Sequence, residues 1–198
     1  MSIDPCLPWV GLKSQRQCGS MRFEGVGMAS KKADDDAKLE GDASGIETLR
    51  VLVVHGPNLN LLGEREPEVY GRTRLEDIDR ELKELGDKLG IKVKTFQSNS
   101  EGDIITRIQE ARGKVDALLI NPAGYTHTSV AIRDAILALE APAVEVHLSN
   151  VYRREPMRHR STIADVAVAR IMGFGAPGYA LALRAVRGLV ETARRARA

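Results

Sequence analysis

A three-layer α/β fold, with a parallel sheet of about five strands between two layers of helices, is what the sequence predicts, on three observations. Short apolar runs rich in β-branched residues recur along the chain, each too uniformly apolar for a strand wet on one side. Segments with apolar residues at helical spacing separate them. Clusters of polar and turn-forming residues follow the apolar runs, where the carboxyl ends of parallel strands would lie and where such sheets bind small ligands.

The first run, Leu52-Val53-Val54, is short and unalternated, as a strand covered on both faces should be. Thr73 and Glu76 have capping-box spacing, and Leu75, Ile78, Leu82, Leu85 and Leu89 follow at helical intervals until Gly90. Ile91 to Gln97 reads as a second strand, and Ser100 is placed to cap a helix carrying Ile104, Ile105 and Ile108. Residues 117–120 form a fully apolar third strand. Val130, Ile132, Ile136 and Leu139 mark the next helix. Residues 143–149 are expected as the fourth strand, 166–172 as the fifth and 179–195 as a closing helix. This alternation implies right-handed crossovers, and five strands favour the flavodoxin-like order over the other doubly wound arrangement.

With 198 residues, 43% of them hydrophobic, the chain supports one ordinary domain with a substantial core. A net charge of +2 is too small for a nucleic-acid stripe or a polybasic membrane patch, so small-molecule partners are expected, with no nucleic acid and no membrane. Nothing approaches the ~20 apolar residues of a membrane span, and the CLPWVGL stretch is too brief for a secretory core. The expected location is cytoplasmic. Residues 1–47 show no sustained period and carry Lys31-Lys32 followed by Asp34-Asp35-Asp36, which predicts a disordered amino-terminal extension ahead of a domain over 48–198. Met21 and Met28 leave open that translation starts later. Cys6 and Cys18 lie in that segment, too far apart for a redox or zinc pair.

The polar residues concentrate after three strands. HGPNLNLLGEREPEVYG, over residues 55–71, follows the first; NPAGYTHTS, from Asn121, follows the third; and EVHLSN, from Glu145, ends the fourth. Histidines, asparagines and a glutamate gathered on one sheet edge point to a ligand, against the plainer reading of a polar surface cluster. Glu145 and His147, two apart on a strand, share a face, so the carboxylate is placed to hold the imidazole. Gly56, Gly63 and Gly71 supply hinge freedom for a loop that closes over the site.

GPNLNLLG followed by Arg65-Glu66-Pro67-x-x-Tyr70-Gly71, then NPAGYTHTSVAIRDA and EVHLSN, resembles the type II 3-dehydroquinate dehydratases of the shikimate pathway, from about Val51 to Arg187. The resemblance implies a flavodoxin-like fold and dehydration of 3-dehydroquinate to 3-dehydroshikimate by anti elimination through an enolate. It implies no metal and no organic cofactor. Consistent with that, the chain has no zinc-ligand spacing, no GxxxxGKS/T loop and no dinucleotide GxGxxG after a strand.

By resemblance Tyr70 is the base, Arg65 and Arg154 are the arginines near it, with Arg65 the transition-state stabiliser, and His147 is the general acid with Glu145 behind it. Asn58 matches the residue that positions a water for the enolate. Asn121, His127 and Arg158 match substrate-binding residues, as do Leu148 and Ser149 through their backbone amides. Asp134 matches a residue that reaches substrate from a neighbouring subunit. The implied assembly is a homododecamer, a tetramer of trimers. His127 is alternatively a cap of the following helix, a role Thr126, Thr128 or Ser129 suits better. Two other readings compete: a non-catalytic module whose loop amides hold a phosphate, and a dehydratase that forms an imine on a lysine.

Overall fold

In a computed structural model, residues 48–64 and 73–196 are described. The expected extension over 1–47 and the part of the polar loop that carries Arg65, Tyr70 and Gly71 lie outside the described residues.

Five strands, β1 (Leu49–His55), β2 (Ile91–Gln97), β3 (Ala117–Asn121), β4 (Ala143–His147) and β5 (Ala169–Met172), pair in parallel in the order β2-β1-β3-β4-β5. This is the expected flavodoxin-like order. Among the described residues four α-helices follow in turn: α1 (Leu75–Leu89), α2 (Glu101–Glu110), α3 (Val130–Leu139) and α4 (Pro177–Arg195). Alternate strand residues face opposite layers. Val51, Val53, Leu119, Val144 and Val146 pack with α1 and α4, through Ile78, Leu82, Leu183 and Val186. Leu52, Val54, Leu118 and Ile120 pack with α2 and α3, through Ile104, Ile108, Ile132 and Ile136. Burial from both sides is why these strands are continuous apolar runs, and each fully buried aliphatic side chain stabilises the fold by about 1.5–3 kcal/mol.

Helix starts follow the sequence with one correction. Ser100 Oγ accepts from the Asp103 N–H at 3.3 Å and Ser129 Oγ from the Ile132 N–H at 2.9 Å, so serines cap α2 and α3. At α1 the Thr73–Glu76 box is displaced by one residue. Arg74 is the cap, and its N–H donates to the Asp77 carboxylate at 3.2 Å. The reciprocal half of a capping box needs a short acidic chain three residues on, and Asp77 satisfies it as well as Glu76 would have one residue earlier. Other boundaries shift by two or three residues. β4 stops at His147, leaving Leu148 and Ser149 in the loop. β5 begins at Ala169 because Ile163 to Ala167 forms a hydrogen-bonded turn. α4 starts at Pro177, whose missing N–H suits the first helical turn.

The hinge expectation for Gly56 is also corrected. Its N–H donates to the Asn121 carbonyl at 2.8 Å, and a Cβ there would lie 2.5 Å from the Pro122 carbonyl oxygen. Glycine at 56 therefore lets the β1 and β3 ends close on one another. Gly56→Ala is expected to lower stability by about 1–3 kcal/mol through backbone displacement, read as a lower urea midpoint at unchanged slope. A wild-type midpoint would contradict this account. Gly63, with φ 84°, does occupy the left-handed region that a side chain disfavours.

Candidate active site

The strand order reverses its direction of growth between β1 and β3, and the crevice outside a sheet at such a point is where ligands bind. A cleft of about 240 Å³ lies there. Its walls come from the loops after β1, β3 and β4, the three ends where the sequence gathers its polar residues.

After β1, Asn58 adopts a left-handed conformation, φ 66°, and caps a short 3-10 turn, Leu59–Leu61, without using its side chain as the cap. Its N–H donates to Asn99 Oδ1 at 2.9 Å, which fixes the turn against the β2 loop, and Asn58 lines the cleft. After β3, Asn121 lies 4% exposed at the cleft wall, with its Oδ1 accepting from the Ala123 N–H at 3.1 Å. His127 lines the cleft as well, and its Nδ1–H donates to the Arg160 carbonyl at 2.7 Å. That bond assigns the tautomer and leaves Nε2 as the other ring nitrogen. Ser129, not His127, caps α3.

After β4 the chemistry is denser. His147 lines the cleft and its Nε2–H donates to Glu145 Oε1 at 2.7 Å. Glu145 is wholly buried behind it. Ser161 Oγ lies 3.0 Å and 3.1 Å from the two carboxylate oxygens, and Arg170 Nε sits 2.6 Å from Oε2, a charge contact outside hydrogen-bonding geometry. Burial pushes the Glu145 carboxyl up, but the hydrogen bond and charge of His147, the charge of Arg170 and the Ser161 hydroxyl outweigh it and hold the group below its ordinary 4.5. The carboxylate therefore stays an acceptor, which fixes the imidazole tautomer and ring orientation.

A carboxyl lowered by folding contributes stability that is complete above its ordinary value and lost as pH falls through the lower folded value. The Glu145→Gln protein is expected to be less stable at neutrality yet less sensitive to acid down to about pH 3. Urea midpoints across that range check this, and parallel curves for the two proteins would remove the linkage.

Leu148 and Ser149 line the cleft beyond His147. So do Arg154 and Arg158, which share one carboxylate: Glu155 Oε2 is 3.6 Å from Arg154 Nε and 2.9 Å from Arg158 Nε. Backbone hydrogen bonding at Glu155 and the bond from Arg158 keep that carboxyl below its ordinary value. Two guanidinium groups thus line the cleft together with Asn58 and Asn121. Asp134 is elsewhere on this chain, exposed on α3 and 3.8 Å from Arg133 Nη1. Arg65 and Tyr70 belong to the undescribed part of the β1 loop.

Three comparisons bear on what this cleft belongs to. Residues 49–187 match the family described as Dehydroquinase class II. The chain belongs to that family. Within the family, it is 57% identical over 138 residues to a 3-dehydroquinate dehydratase of Geotalea daltonii, covering 70% of this chain and 96% of that one. A catabolic 3-dehydroquinase 1 of Fusarium vanettenii is 56% identical over 140 residues, with 70% and 97% covered. The crystal structure of the type II dehydroquinase of Butyrivibrio crossotus superposes with a TM-score of 0.69 at 42% identity, covering 70% of this chain and 97% of that one. No helix among the described residues is long and apolar enough to cross a membrane.

Several residues around the cleft carry no signal in the sequence. Ser161 and Arg170 meet Glu145 only because the loop before β5 turns back and β5 pairs with β4 in the register Glu145 to Arg170. Asn99, which anchors the Asn58 turn, likewise depends on β2 lying beside β1.

Proposed function

We propose that the chain catalyses the metal-free and Schiff-base-independent dehydration of 3-dehydroquinate to 3-dehydroshikimate, as a type II dehydroquinase. Its family membership and the His147–Glu145 pair opening on a cleft with two asparagines and two arginines support the reading, and the pair is the observation that carries it. Tyr70, as phenolate, takes the proton alpha to the ketone, and the electron pair moves onto the carbonyl oxygen as an enolate. Asn58 holds a water against that oxygen, and Arg65 and Arg154 supply positive charge near Tyr70. Collapse of the enolate breaks the carbon–oxygen bond on the opposite face. The hydroxyl leaves as water with a proton from Nδ1 of the His147 imidazolium, whose Nε2–H stays on Glu145, and the ketone returns conjugated to the new double bond.

Asn121, His127 and Arg158 bind the substrate's polar groups, and the backbone amides of Leu148 and Ser149 meet its carboxylate. Asp134 reaches the site of a neighbouring subunit in a homododecamer built as a tetramer of trimers, which fits its exposure on α3 here. The enzyme is cytoplasmic, with residues 1–47 an extension to the catalytic domain over 48–198. The decisive experiment follows enone absorbance with dehydroquinate in the presence of a chelator. Absorbance should rise without added metal, and borohydride with substrate should trap no adduct. A protein that binds dehydroquinate without forming enone would be a binding module and not this enzyme.

A further inference from the structure

Behind the cleft, on the α1 and α4 side of the sheet, runs a buried polar chain that none of the proposed steps uses. His55, the last residue of β1, is wholly buried and stands in register with Asn121 of β3. Its Nδ1 is 2.9 Å from the Tyr179 hydroxyl of α4, and its Nε2 is 3.0 Å from Asp79 Oδ1 of α1. The two rings lie 5.2 Å apart at 57°. Asn121, in register beside His55, brings its side-chain amide to the Tyr179 hydroxyl, with which it interacts. Tyr179 is 1% exposed, and neither it nor His55 nor Asp79 lines the cleft.

The direction of the bonds in this chain follows from the groups at its two ends. Burial pushes the Asp79 carboxyl up, but bonds from His55 and Thr95 and nearby positive charge hold it below its ordinary value, so it only accepts. Nε2 of His55 must then carry the proton, and Nδ1 is left to accept from Tyr179. At the other end, Asn121 Oδ1 points to the Ala123 N–H and accepts from it, which leaves the NH2 on the side of the amide that faces the Tyr179 oxygen. The phenol, kept protonated by burial, has one proton and Nδ1 to receive it. An amide flip at Asn121 would set NH2 against an N–H and a carbonyl against a hydroxyl already committed, two losses in a buried place.

We propose that Asp79, His55 and Tyr179 are positioning residues that hold the Asn121 amide in the one orientation that binds substrate. The inference rests on the reading of Asn121 as a substrate ligand. Tyr179→Phe keeps the ring and removes the link. It is expected to raise KM for dehydroquinate about tenfold, with kcat within about threefold of wild type, because one oriented neutral hydrogen bond is lost. Asp79→Asn, at the half-buried end where folding is least at risk, should raise KM about threefold by letting the imidazole choose either tautomer.

The discriminating measurement places both changes in an Asn121→Ala background. Residues that act through Asn121 lose their effect on KM there, whereas residues that merely stabilise the fold keep it. Additive KM effects, or wild-type KM in folded Tyr179→Phe and Asp79→Asn proteins, would overturn the proposal. Should Asn121→Ala itself leave KM unchanged, the assignment of Asn121 falls and the positioning role with it. A KM rise in Asn121→Ala without one in Tyr179→Phe removes the positioning role alone.

Discussion

The Tyr70→Phe protein should turn over at least about a thousandfold more slowly than wild type, with unchanged thermal unfolding, since a well-placed general base contributes about 10²–10⁴-fold. The magnitude follows from what the hydroxyl must do. With an ordinary pKa near 10, holding a tyrosine ionised at neutrality requires about 4 kcal/mol. One guanidinium at ~4 Å in a medium of effective dielectric ~20 returns about that much. Arg65 is five residues away on the same loop, and Arg154 stands on the wall built after β4. A phenylalanine there has no proton to lose and no oxygen to receive one, so neither arginine rescues it. Residual activity near wild type would mean that another group takes the proton.

His147→Ala is expected to be as damaging and to fail at a different step. Glu145 keeps Ser161 and Arg170 when the imidazole is removed, so the buried carboxylate is not stranded and the sheet should still form. The base remains, and the enolate still forms. What is lost is the proton for the departing hydroxyl. In deuterated water this variant should exchange the proton alpha to the ketone without releasing product, whereas Tyr70→Phe should do neither. Loss of exchange in the His147 variant would assign the imidazole to the first step instead of the second.

Much of the fold is legible in the sequence because its signals are local. The capping serines Ser100 and Ser129 and the apolar spacing of α1 need no knowledge of neighbours. Strand order is less local, yet β-branched runs without alternation imply both faces covered, and only a few doubly wound orders satisfy that. At the start of α1 the sequence does not separate Glu76 from Asp77, since both are acidic and only backbone geometry decides which reaches back. Asn58, Asn121, His127, Glu145, His147, Leu148 and Ser149 are likewise visible, since each sits in a strand-end motif, whereas Arg154 and Arg158 lie beyond those motifs and are reached only through the family resemblance. Their supports are not. Arg170 reads as a charge in a short apolar strand, and His55 as the first residue of a polar loop, until register sets one beside Glu145 and the other beside Asn121.

Glu145 and His55 lie on opposite faces of the same sheet, His55 braced by the helices α1 and α4 and Glu145 by β5 and the loop before it, and among the described residues they share no hydrogen-bond partner. The residues that support His147 and those that support Asn121 are thereby kept apart by the main-chain hydrogen bonds of the sheet. Defects introduced in one set should combine with defects in the other as simple products of their rate factors. On the proposed roles of Asn121 and His147, selection can then retune affinity for the ring without disturbing how its hydroxyl is expelled.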